Sequence, residues 1–153
     1  MGTPFEIERS IDLKSAPADV FAVVSDLSRF ESWSPWAKAD PGAKIEVTTP
    51  PNAVGTVYRW HGKRSGQGSM TITDLTAPKH IELDLVFTAP FKARNTVVWA
   101  FHPESNGGTR FVWTMRGERG LGMRIMSALM RMDRMLERQF DEGLGYLQAI
   151  VDG

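Results

Sequence analysis

The chain has 153 residues, which fits one domain built on one core. Apolar residues make up 42% and charged residues 24%, with 18 basic against 18 acidic side chains, so no global charge marks a nucleic-acid or other polyanion partner. Cysteine is absent, which excludes disulfides, thiol nucleophiles and cysteine-ligated metal and fits a reducing, cytoplasmic setting.

The opening MGTPFEIERSIDL reads as a charged strand and not as a signal peptide. Gly2 is followed by Glu6 where a myristoylation signal needs Ser or Thr, so that modification is not expected. Residues 5–13 alternate strictly: Phe5, Ile7, Arg9, Ile11 and Leu13 share one face and Glu6, Glu8, Ser10 and Asp12 the other. SAPADVFAVVSD predicts a helix from about Pro17, with Ser15 as its cap and Val20, Phe21, Val24 and Leu27 on its apolar side. DLSRFESW predicts a second short helix capped by Asp26, and SPWAKADPG a loop.

Strand candidates follow in series: 43–49, 55–62, 68–75, 80–87, 94–103 and 109–117, broken by GKRSG, AP, TAPFKA and SNGG. Short connections between consecutive strands predict antiparallel pairing, with one face apolar and one wet. From about Leu121 to Val151 the apolar period changes to 3.6, through Met126, Leu129, Met130, Asp133, Leu136, Phe140, Leu144, Leu147 and Val151. No run of about 18 apolar residues exists, so no membrane span is expected. The fold class is therefore α+β: a seven-stranded antiparallel sheet, two short helices after the first strand, and a long C-terminal helix as the only long cover for the apolar face. One helix does not fill a curved sheet of that width, so the gap either collapses or stays open as a cavity.

This order of elements resembles the START-like or SRPBCC superfamily, in its polyketide cyclase/dehydrase-type branch. The residues that carry it are APADVFAVVSDLSRFESWSPW, GTVYRWHGKRSGQGSMTI, LVFTAPFKARNTVVWAF, GGTRFVWTMRG and MRMDRMLERQFDEGLGYLQ, which together span nearly the whole chain. The resemblance implies a helix-grip fold, in which the sheet wraps around the last helix, and an internal cavity for apolar or amphipathic small molecules. Family members include carriers, receptors and aromatase/cyclases, so the resemblance implies neither one ligand nor one reaction.

Five tryptophans stand out. Trp60, Trp99 and Trp113 share strand parity with Tyr58, with Val97 and Phe101, and with Phe111 and Met115, so each either fills the core or forms a cavity wall. Met70, Phe87 and Met115 join them on inward strand positions. Trp36 follows the second short helix, in a region that borders the cavity in the family, and is read as a wall or gate. GMRIMSALMRMDRML carries Met at 123, 126, 130, 132 and 135. Met126 and Met130 are expected to make a deformable wall, because methionine is unbranched and polarizable, while Met132 and Met135 fall nearer the flanks.

Asp133 interrupts the apolar stripe of the last helix, with Glu137 one turn on. Arg9 is a cation at an inward position of the first strand, and Asn95 is inward by parity with Trp99. A structural ion pair of Arg9 with Asp133 or Glu137 is one reading; a polar anchor in the cavity is the other. These three ionisable residues are also the weak candidates for acid–base catalysis. His61, His80 and His102 show no metal spacing, so neither a metal nor a cofactor is expected. GQG in RSGQGSM lies between strands and reads as a turn, not a phosphate loop.

The expected function is binding of a small hydrophobic or amphipathic molecule, lipid-like or polyketide-like, as carrier or sensor. One alternative is a cyclase/dehydratase-type enzyme acting on a bound aromatic or polyketide-like chain; another is an interaction module with a vestigial cavity. The basic run at Arg116, Arg119, Arg124, Arg131, Arg134 and Arg138 leaves room for transient contact with an anionic membrane surface. No nucleic-acid partner is expected, and the chain is read as a monomer or homodimer.

Overall fold

The structure is a computed structural model that describes residues 3–119 and 126–153, with side chains at 4–118 and 131–153. The alternating segments become seven strands: β1 Thr3–Leu13, β2 Lys44–Val47, β3 Val57–Gly62, β4 Gly66–Thr76, β5 His80–Ala89, β6 Ala93–Pro103 and β7 Thr109–Arg119. They form one sheet in the order β1-β7-β6-β5-β4-β3-β2, with every pair antiparallel. Consecutive strands from β2 to β7 are neighbours. β1 leaves that order, lies beside β7, and makes the far edge. The chain between the two edges holds the short helices, which close the end of the sheet.

Those helices are α1 Pro17–Val24, a 3₁₀ helix Leu27–Ser32 and α2 Pro35–Ala39. Pro17 begins α1, but Ser15 does not cap it; its single hydroxyl proton is shared between the Val151 carbonyl and the Asp152 carboxylate instead. Asp26 does cap the 3₁₀ helix by accepting from Ser28 N. The segment read as a loop contains α2, whose N-terminus is capped by the Ser34 hydroxyl accepting from Ala37 N at 3.2 Å. Ser followed by Pro at the first helical position is the local reason a helix starts there.

The last helix, α3 Met126–Val151, lies on the apolar face of the sheet and packs against β1, α1 and α2. The arrangement is a helix-grip. Among the described residues no helix is long and apolar enough to cross a membrane.

The core is not spread evenly along α3. Its C-terminal half drives Leu144 and Leu147 into a packed cluster with Leu13, Val20, Leu27, Phe101 and Phe111. Gly143 sits where α3 comes nearest to the loop before α2. A Cβ there would stand 3.0 Å from the Trp113 ring and 3.1 Å from Pro35, so glycine permits the close crossing. On the N-terminal side of Gly143, Met132, Met135, Leu136 and Phe140 of α3 face a cavity.

Candidate functional site: an aromatic cavity under the last helix

The cavity has a volume of about 510 Å³. Cross-strand register explains its walls. One row runs across the apolar face as Tyr58, Met70, Leu85, Asn95, Gly117 and Phe5, each paired with the next. All of these except Gly117 line the cavity. Glycine in this row has a steric reason: a Cβ on Gly117 would sit 2.1 Å from the Asn95 Oδ1. The bare backbone leaves room for the Asn95 carboxamide to lie over it.

A second row, Ile45, Trp60, Gly68, Phe87 and Ala93, repeats the device. A Cβ on Gly68 would stand 2.5 and 2.6 Å from two carbons of the Trp60 ring, so the indole lies across the glycine. The Trp60 Nε1–H donates to the Ser65 carbonyl at 3.0 Å, which fixes the ring, and Phe87 meets it edge-on at 5.4 Å between centroids. Ser65 is itself held. Its N–H and hydroxyl donate to the Asp40 carboxylate at 3.0 and 2.8 Å, and Arg64 N donates to the same oxygen at 3.0 Å. These bonds, first the Ser65 N–H and then its hydroxyl, hold the Asp40 carboxyl below the usual carboxylate range.

The inner end is aromatic. Trp113 stacks on Phe140 of α3, with centroids 4.3 Å apart and planes 11° from parallel, and Trp36 of α2 meets both edge-on. Behind Trp113 lies a sealed cluster in which Trp33 contacts Trp99 at 5.2 Å and Trp113 at 5.5 Å. The indole N–H groups of Trp33, Trp99 and Trp113 find no hydrogen-bond acceptor among the described residues and are enclosed by tilted and edge-on rings. α3 covers the cavity with Met132, Met135, Leu136 and Phe140. Phe91, 79% exposed, and Met135, 47% exposed, mark the end where the cavity reaches the surface, beside the exposed Lys92 and Glu118.

Polar groups are few. Tyr58 is buried, and that burial pushes its phenol pKa up, with the charge of Glu31 adding to the effect. Tyr58 therefore stays protonated. Asn95 is 8% exposed and its carboxamide makes no hydrogen bond among the described residues.

The residues singled out from sequence separate into three groups. Trp36, Trp60, Met70, Phe87, Asn95, Trp113 and Met115 line this one cavity. Trp99 does not; it is fully buried behind Trp33 and Trp113. Asp133 is half-buried on α3 and is not among the lining residues, whereas its neighbour Met132 is. The side chains of Met126 and Met130 lie outside the described residues, as does Met123.

Arg9 departs from its inward reading. Its guanidinium pairs with Asp141 at 2.8 and 2.9 Å and more loosely with Glu137 at 3.8 Å, and its side chain stays 41% exposed. Arg9 thus pairs with Asp141 and Glu137 of α3. Arg9 faces α3, but β1 is an edge strand, so water reaches the pair. Strand pairing also brings together Asp74, His80 and Glu82, with ligand atoms within 4.8 Å, on the face of the sheet away from the cavity. No sequence spacing announces that group, because cross-strand register assembles it.

A family model described as polyketide cyclase / dehydrase and lipid transport matches residues 4–152. The chain belongs to this family. Solved structures of other proteins share the fold. Protein MLL2253 from Mesorhizobium loti is 14% identical over 97% of each chain, with a TM-score of 0.72. Ara h 8.0201 is 13% identical over 95% of this chain and 99% of that one, with a TM-score of 0.63. The di-domain ARO/CYC StfQ from the steffimycin biosynthetic pathway is 12% identical, at a TM-score of 0.70, over 98% of this chain and 51% of that one. A search of curated proteins finds no match. At these identities the likeness concerns the fold, and the helix-grip is what these proteins share with this family member.

Proposed function

We propose that the chain acts as one binding domain that takes up a small hydrophobic or amphipathic molecule, as a carrier or sensor. The observation that carries the reading is an open cavity of about 510 Å³ walled in part by residues of the buried core. A fold seeking only stability loses contacts by leaving such a space, because close packing and burial are what stabilise an interior. Aromatic and methionine walls with few polar groups match the general chemistry of small-molecule sites.

Binding is favoured over turnover by the groups present. The ionisable side chains among the described lining residues are Tyr58, Lys92 and Glu118, and none of them is hydrogen-bonded to another as a base is to its nucleophile. The cyclase/dehydratase alternative then depends on strain or positioning of the bound chain alone. A vestigial cavity is disfavoured by its volume.

Intact mass of the natively purified protein, compared with its denatured mass, tests the proposal. A reproducible excess that dissociates on denaturation supports it, and extraction then gives the ligand class. No excess, together with no binding of a hydrophobic fluorescent probe, would overturn it.

A further inference from the structure

The cavity is mostly apolar, and its buried polar side chains are few. Lys92 and Glu118 are exposed and stand at the surface end, so no ionisable carboxylate, ammonium or guanidinium among the described lining residues is buried inside. A charged group carried inward would be desolvated without a partner, at several kcal/mol or more in general. A ligand's buried portion is therefore neutral.

Asn95 supplies the one buried carboxamide among the described lining residues. It lies mid-row between Leu85 and Gly117, and the missing Cβ of Gly117 keeps its Oδ1 from steric conflict. It is more than nine-tenths buried, lines the cavity and makes no protein hydrogen bond among the described residues. Buried amides are ordinarily paired, because an unmet donor or acceptor forfeits its hydration without return. A carboxamide offers both a donor and an acceptor side by side, and which atom is which follows from its partner.

Resting on the binding proposal above, we infer that Asn95 is the polar docking point of the cavity and selects neutral aromatic molecules bearing one hydroxyl or carbonyl group over bare hydrocarbons and over carboxylates. The planar part of the ligand lies between the Trp60–Phe87 pair and the Trp113–Phe140 stack. By the ~30 Å³ that a water takes in the liquid, the cavity has room for on the order of 15–20 non-hydrogen atoms. Tyr58, three strands away in the same row, is another buried lining side chain whose polar group makes no hydrogen bond among the described residues, and it is the control.

Calorimetric titration of the full chain with naphthalene, 2-naphthol and 2-naphthoate at neutral pH tests this. The wild type is expected to prefer 2-naphthol to naphthalene by roughly five- to tenfold, about what one hydrogen bond contributes, and to bind 2-naphthoate most weakly. In Asn95→Leu the ratio of the naphthalene and 2-naphthol affinities should fall to about one. Asn95→Ser, which keeps a small polar group, serves if the leucine variant does not fold, and should retain a reduced preference. An unchanged ratio in the Asn95 variants, or a ratio lost in Tyr58→Phe and kept in Asn95→Leu, would overturn the assignment while leaving the cavity reading intact. Tight 2-naphthoate binding would overturn the neutral selection. Failure of naphthalene and 2-naphthol alike to bind the wild type would overturn the binding proposal itself, and this inference with it.

Discussion

Asp40 and Ser65 are joined twice, the carboxylate accepting both the backbone N–H and the hydroxyl of Ser65. The link ties the end of α2 to the β3–β4 hairpin, and the Ser65 carbonyl passes the constraint on to the Trp60 indole. One cavity wall is thereby held by a residue that does not line the cavity. Gly62 makes room for it, since a Cβ there would stand 2.0 Å from the Asp40 carboxylate. Asp40→Ala should lower Tm by several degrees and weaken ligand binding, while Ser65→Ala, which keeps the backbone donor, should do less. Equal effects in the two variants by thermal melts would show that the backbone contact is not what holds the hairpin.

Acid should release this tie. Asp40 has a folded-state pKa below its unfolded value, so its contribution is complete above the unfolded pKa and is lost as pH falls through the folded one. Asp152 behaves alike: burial alone would raise its pKa, but hydrogen bonds from Lys14 N, the Ser15 hydroxyl and Ser15 N outweigh that and lower it. Stability measured by urea midpoint should therefore be flat near neutrality and fall below about pH 4. Asp40→Asn should flatten part of that acid limb. An acid limb unchanged in that variant would assign the sensitivity to other carboxylates.

Phe140 carries both core and cavity. It is 1% exposed and stacked on Trp113. Phe140→Ala should cost about 3–5 kcal/mol of stability by denaturant titration, and Phe140→Leu distinctly less. If alanine costs under about 1 kcal/mol, the stack is not a structural support and the wall collapses readily.

Trp60 depends on the bare backbone beneath it. Gly68→Ala places a methyl group against its ring and 2.3 Å from the Val86 carbonyl, which is backbone and cannot swing away. The substitution should destabilise by about 1–3 kcal/mol and shift the tryptophan emission. An unaltered spectrum with wild-type stability would mean that the indole does not rest on Gly68.

The Arg9–Asp141 pair should matter little. Its side chains are 41% and 46% exposed, so a double-mutant cycle should return about 0.2–1 kcal/mol, decreasing with salt. Arg9→Ala should leave ligand affinity as it is. A large loss of binding would return Arg9 to the site.

The sequence made much of the sheet legible because period-two alternation states which side chains share a face. Tyr58, Trp60, Met70, Asn95 and Trp113 could be placed on the apolar side from that alone. Alternation says nothing about depth. Trp99 and Trp113 have the same parity and are register partners, yet only Trp113 lines the cavity, because Trp33 from the preceding loop covers Trp99. Edge position was equally hidden, and it turns Arg9 from an inward cation into a half-exposed one. On α3 the apolar stripe was legible but the roll of the helix was not, so Met132 and Met135, read as flanking, line the cavity. α2 did carry a signal, Ser34 followed by Pro35, whereas Asp40 had none, since its partners lie 24 and 25 residues away.

The crossing at Gly143 divides α3 into a longer segment before it and a shorter one after it. Leu144 and Leu147 beyond it are buried in the core, while Met132, Met135, Leu136 and Phe140 before it line the cavity. On the binding proposal, substitutions at Met132, Met135 and Leu136 should alter which molecule is accepted while leaving Leu144 and Leu147 in their packed cluster. On that proposal, a handful of substitutions on one helical segment would refit the scaffold to a different molecule, as though the fold came with an exchangeable lining.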